Sequence, residues 1–198
     1  MTVSDRRLKR YFDIMMSVIG LLLVVPIIVL AWFFSAIETK SNGFFIQKRI
    51  GKDGVAFNVY KIKTMKKIDG VVTNVSTEND VRITKSGSIF RRYKVDELPQ
   101  LWNVFVGDMS FVGPRPDVPG YADMLEGDDC IILSVRPGIT GPASLKYKNE
   151  EVILATQDDP VSYNDKVIWP DKVQINREYV FNYSFSKDLR YIIETIKG

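Results

Sequence analysis

The sequence predicts an α+β fold in which helix dominates and the N-terminal segment lies in a membrane. Three observations carry this. Residues 14–37 hold no charged side chain, a run of about 24 positions, against the roughly 20 that a helix needs to cross a bilayer core. Two runs between Phe44 and Lys63 read as strands about a turn, and helical spacing of apolar residues recurs after Ser88 and after Gln174.

Taken in order, the apolar run is too long for a signal peptide's apolar region and shows no cleavage site with a polar start behind it. Being apolar all round, it makes a poor helix for the surface of a soluble core. Arg6, Arg7, Lys9 and Arg10 precede it, and Lys40, Lys48, Arg49 and Lys52 follow it. Basic flanks favour the cytoplasmic side, so a straight crossing places one of them on the wrong face. A re-entrant helix–break–helix bent at Pro26 keeps both on one face, because proline removes a helix hydrogen bond and crowds the preceding turn. A kinked spanning helix is the alternative. Residues 1–40 therefore form the membrane segment with its basic flank, and 41–198 one integrated unit.

Within that unit, Phe44–Ile50 and Val55–Lys63 are expected as a small β-hairpin closed by Gly51-Lys52-Asp53-Gly54. Asp69–Thr77 reads as a loop. Ser88–Val106 has helical spacing that Pro99 interrupts. Gly107–Pro119 and Ser134–Leu145 are Gly/Pro-punctuated and irregular, with a short helix at Tyr121–Glu126 between them. Gln174–Ile196 reads as two helices split near Ser184. Amphipathic helices and exposed aromatic side chains fit a position at the bilayer interface.

Composition removes several chemistries. The chain has no histidine, which excludes serine–histidine triads, histidine proton shuttles and histidine-containing zinc sites. Its one cysteine, Cys130, cannot form an internal disulfide and reads as a small packed side chain. Net charge is +3, which suits a membrane surface or phosphorylated substrates. No basic run or binding motif points to nucleic acid. No coiled-coil seam argues for a dimer, although a dimer is compatible with the sequence.

Three clusters can carry chemistry. Asp96-Glu97 sits just before a helical run with Arg91, Arg92 and Lys94 upstream; a helix cap is the ordinary reading of such a pair, and the basic neighbours favour an ionised carboxylate and bound phosphate. In Gly113-Pro114-Arg115-Pro116 two prolines fix the backbone around an arginine suited to bidentate phosphate contact, or simply form a rigid turn. In Arg136-Pro137-Gly138-Ile139-Thr140-Gly141 the glycines permit close backbone approach.

These clusters, with Lys9-Arg10-Tyr11-Phe12-Asp13, Gln47-Lys48-Arg49-Ile50-Gly51 and Tyr60-Lys61-Ile62-Lys63-Thr64-Met65, resemble the bacterial sugar transferases, the small monotopic phosphoglycosyl transferases. The resemblance runs from Lys9 to at least Gly141 in the same order of blocks. It implies a re-entrant anchor in the bacterial inner membrane and a catalytic domain over 41–198 on its cytoplasmic face. It also implies transfer of a sugar-1-phosphate from a UDP-sugar to undecaprenyl phosphate with release of UMP, at the start of capsule, O-antigen or glycoprotein glycan assembly. Carried onto this chain, Asp96 is the nucleophile and Glu97 a base or magnesium ligand, with Mg2+ held at Asp96 and Glu97. Lys61, Arg91 and Arg115 clamp phosphate, and Arg136 lies at the donor site. The chain departs from the family where Val25, not serine, precedes Pro26, and where Pro142-Ala143-Ser144-Leu145 follows Gly141; the second change, with the long 150–170 region, leaves the donor sugar open. A metal-dependent hydrolase of the same diphosphates and a membrane-anchored interaction module are the competing readings.

Overall fold

The computed structural model describes residues 1–67 and 80–197; the loop expected at Asp69–Thr77 lies outside them. Helix α1 (Val3–Thr39) is followed by strands β1 (Phe44–Ile50) and β2 (Ala56–Ile62), then α2 (Lys85–Arg92) and α3 (Gln100–Val106). A second, parallel pair, β3 (Ser110–Val112) with β4 (Gly138–Thr140), is followed by α4 (Pro142–Lys146), α5 (Glu150–Ala155), α6 (Pro160–Tyr163), α7 (Trp169–Phe181) and α8 (Phe185–Lys197).

The hairpin forms as its two strand runs and their turn predict, in antiparallel register from Phe44 opposite Ile62 to Ile50 opposite Ala56. Its turn needs left-handed backbone at Asp53 and Gly54, which Asp tolerates and Gly adopts freely. The helix expected over 88–106 is instead two. Lys94 enters the left-handed region at φ 55° and ends α2, and Pro99 starts α3. The expected helix at Tyr121–Glu126 shortens to a 3-10 turn at Ala122–Met124. At the C-terminus α7 and α8 divide beside Ser184, as expected.

Helix α1 departs most from the expectation. Pro26 lies inside its 37 residues without interrupting it. The break expected there is therefore absent as a gap in the helix; proline's lost hydrogen bond and ring clash are local, and the turns on either side continue.

The polarity of α1 is inverted. Its buried positions are Lys9, Asp13, Ser17, Ala31 and Ser35, polar or small residues recurring every fourth position on one face. The large apolar side chains point outward, with Leu22 76% and Leu23 71% exposed. The inner face docks on the body along both arms. Arg10 donates to the Val104 and Phe105 carbonyls at 2.6 and 2.8 Å, and Asp13 accepts from Ser110 Oγ and the Phe111 amide, each at 3.1 Å. Gly20 packs on Leu101. Near the other end, Ser35 Oγ donates to the Lys63 carbonyl, and Glu38 accepts from Ser86 N and Oγ at 3.0 and 2.8 Å. A helix with its polar stripe inward and its apolar surface outward is at home in hydrocarbon. Leu22→Arg is accordingly expected to move protein from the membrane pellet to the supernatant on fractionation, since an arginine deep in a bilayer costs roughly 2.5–3.5 kcal/mol or more.

Candidate active site

The backbone turn at Lys94 sets up the site. It directs Val95–Glu97 into a 3-10 turn, after which Leu98 and Pro99 already have right-handed helical dihedrals and lead into α3. Along this path Asp96, Pro99, Gln100, Asn103 and Val104 are buried, while Trp102, Phe105 and Val106 are exposed. Asn103 pins the path to β2: its Oδ1 accepts from the Tyr60 amide at 3.2 Å, and its Nδ2 donates to the Asn58 carbonyl at 2.7 Å. The next residue of β2 is Lys61, whose Nζ thereby stands 3.0 Å from Glu97 Oε1.

Arg115 reaches the same oxygen at 2.5 Å. Its loop is held by the second strand pair, where Gly113 N donates to the Thr140 carbonyl at 2.9 Å and Gly138 N to the Pro114 carbonyl at 2.8 Å. Three glycines make this approach possible. A Cβ on Gly138 would stand 2.1 Å from Gly113 N, and one on Gly141 2.4 Å from Gly113 O. The close approach read from these glycines is therefore made to neighbouring backbone, which fixes Pro114-Arg115-Pro116. Gly138→Ala is expected to lower the melting temperature of the detergent-purified protein, overpacking there costing about 1–3 kcal/mol or more.

The electrostatics separate the two adjacent acids. Burial would raise Glu97, but Arg115 and Lys61, through charge and hydrogen bonds, hold its carboxyl well below the usual range. Burial and then the Glu97 charge push Asp96 above that range, against a pull from Lys61, Lys94 and Arg91. Asp96 Oδ1 is buried and has no hydrogen-bond partner among the described residues. Burial also lowers Lys61, with Glu97 opposing. The result is one carboxylate fixed by cations and a buried neighbour whose Oδ1 they leave without a hydrogen bond.

Four of the residues singled out by sequence thus meet at one place: Asp96, Glu97, Lys61 and Arg115. Arg91 lies within electrostatic reach of Asp96 but pairs with Glu151 of α5. Arg136 stands elsewhere, its Nε donating to the Gly107 carbonyl at the end of α3 at 2.7 Å. Among the described residues no group of three or more His, Cys, Asp or Glu side chains is arranged to hold a metal.

Sequence reasoning missed a charged layer behind Arg115. Arg49 donates to Gln47 Oε1 at 2.7 and 3.1 Å and to the Pro116 carbonyl at 3.2 Å. The Ile50 amide donates to the Asp117 carbonyl at 2.9 Å. Burial pushes the Asp117 carboxyl up to about 6, with Lys172, Arg49 and Arg115 opposing. Strand alternation was the available signal, since it puts Gln47 and Arg49 on one side of β1. Nothing local pointed to Asp117 or Lys172.

Comparison with known proteins fits this geometry. The chain is 36% identical to the UDP-glucose:undecaprenyl-phosphate glucose-1-phosphate transferase of Escherichia coli, over 97% of this chain and 40% of that protein. It is 33% identical to the uncharacterized sugar transferase EpsL of Bacillus subtilis, over 96% of this chain and 86% of EpsL. It is 29% identical to the UDP-N-acetylgalactosamine-undecaprenyl-phosphate N-acetylgalactosaminephosphotransferase of Aeromonas hydrophila, over 96% of this chain and 43% of that protein. The family described as bacterial sugar transferase matches residues 4–198, and with that span covering the anchor, the Asp96-Glu97 turn and the arginine loop alike, this chain belongs to the bacterial sugar transferases.

Proposed function

We propose that this protein transfers a sugar-1-phosphate from a UDP-sugar to undecaprenyl phosphate through a phosphosugar held covalently on Asp96. The observation that carries the reading is the buried Asp96 Oδ1, without a hydrogen-bond partner among the described residues, beside a Glu97 already bound by Lys61 and Arg115. A carboxylate is an effective nucleophile when positioned and desolvated. In the first step an Asp96 oxygen bonds to the β-phosphorus, the bond from that phosphorus to the bridging oxygen breaks, and UMP leaves with the electron pair. In the second, an oxygen of undecaprenyl phosphate bonds to the same phosphorus and Asp96 leaves as carboxylate.

Lys61 and Arg115 hold the Glu97 carboxyl well below the usual range and so keep it ionised. It keeps the two cations in place for the diphosphate. Mg2+ fits here, because it takes only one or two carboxylates together with substrate phosphates and water. Asp96 and Glu97 would hold it, and it would offset diphosphate charge. Arg91 exchanges Glu151 for a phosphate oxygen.

The anchor is re-entrant, with both ends on the cytoplasmic face of the inner membrane. This rests on the docking of both arms of α1 to one body, with the exposed apolar stretch around Leu22–Leu30 between them. Initiation of a surface glycan follows from the acceptor. The test is direct: incubation with a UDP-sugar carrying 32P in its β-phosphate, without lipid, should label the protein, and undecaprenyl phosphate should discharge the label. UMP release without labelling at any quench time would overturn the covalent route.

A further inference from the structure

Gln100 bears a carboxamide with no role in the reading so far. The residue is 2% exposed, yet its Nε2 has no hydrogen-bond partner among the described residues. Burying an amide without a bond is costly, and proteins seldom retain such a group idle. Asn103, one turn further along, gives the contrast. Its equally buried carboxamide is satisfied by Tyr60 and Asn58 and holds α3 to β2.

The position of Gln100 indicates what it is for. It follows Asp96 by four residues on a path whose intervening Leu98 and Pro99 are helical, so both lie on the inward side. Long side chains on a helix lean toward its N-terminal turn, which aims the carboxamide at the turn of Asp96. Leu101 against Gly20 and Asn103 on β2 fix α3 on both sides of Gln100. Two polar atoms without a hydrogen-bond partner among the described residues, an acceptor on Asp96 and a donor on Gln100, thus belong to residues one turn apart.

We propose that Gln100 is a catalytic residue whose Nε2 donates a hydrogen bond to a non-bridging oxygen of the phosphoryl group joined to Asp96. This rests on the covalent route above. Phosphoryl oxygens in this group only accept, so an N–H complements them. The group nearest a side chain one turn from Asp96 is the one Asp96 carries. A preorganised neutral donor steadies phosphoryl charge in both steps without adding a cation that would hold the product.

The test compares wild type, Gln100→Met and Gln100→Glu, each full-length in detergent, by melting temperature and by the rate of 32P labelling from the β-labelled donor. For Gln100→Met the melting temperature should be unchanged or higher. Its maximal labelling rate should fall roughly 10- to 100-fold, with the half-saturating donor concentration changing by less than about threefold. Gln100→Glu should lose more, because an acceptor replaces the donor. A Gln100→Met protein that labels within twofold of wild type, or that melts well below it, overturns the proposal, the second by revealing a structural partner. Failure of the wild type itself to label refutes the covalent route and this role together; normal wild-type labelling with an unimpaired Gln100→Met refutes only the role of Gln100.

Discussion

On the proposed covalent route, Asp96→Asn is expected to lower lipid-dependent UMP release by roughly 1000-fold or more and at the same time to make the protein more stable. The activity loss follows from chemistry, since the substitution keeps the shape and removes the carboxylate that the proposed route uses as nucleophile. The stability gain follows from linkage. Asp96 has a folded-state pKa above its ordinary 3.8, so the folded chain binds more protons than the unfolded chain from 3.8 up to that value. Its contribution to stability is complete below 3.8 and is lost as pH rises through the folded value. At neutral pH the full penalty is present, and asparagine removes it. The same shift predicts that wild-type labelling falls as pH drops through a value above 3.8, because only the ionised acid attacks. Parallel UMP assays and melting curves from pH 4 to 8 check both halves. A variant that loses activity and also melts lower at pH 7 would contradict this account of Asp96.

Asp188→Asn should be the most damaging single change to the fold. Lys9 of α1 and Asp188 of α8 form an ion pair with side chains only 9% and 2% exposed, and Tyr179 donates to the other carboxylate oxygen at 2.8 Å. Removing the acid strands a buried ammonium group, typically costing about 3–5 kcal/mol, or roughly 6–20 °C in melting temperature for a chain of this size. Lys9→Met combined with Asp188→Leu should recover most of that loss, because a buried pair replaced as a unit is often neutral. A double variant no better than Asp188→Asn would show that shape at this joint matters more than charge.

How far the sequence could be read depended on how local each signal was. The β-hairpin was legible because its two strand-forming runs and their Gly-Lys-Asp-Gly turn lie within one short stretch. The division of the helix expected over 88–106 was half legible: Pro99 announced it, but the left-handed Lys94 did not. The inward polar face of α1 was not legible. Lys9 and Asp13 read as a basic flank and its neighbour, and their partners Asp188 and Ser110 lie far along the chain. At the site, Asp96, Glu97, Lys61 and Arg115 stand out by residue type and motif. Arg136 could be placed only once Gly107 had come to lie beside it. The emptiness around Gln100 Nε2 is a property of packing that no sequence pattern displays.

The inverted polarity of α1 has a practical consequence for handling the enzyme. Its joint to the body carries an inward polar stripe, Lys9, Asp13 and Ser35, held by an ion pair and hydrogen bonds for which surfactant tails do not compete. A micelle replacing lipid acts on the opposite face, around Leu22, Leu23 and Leu30. Extraction should therefore leave the anchor seated and the Asp96 turn undisturbed, whereas stripping the micelle away should drive chains together through those same leucines before the body itself unfolds.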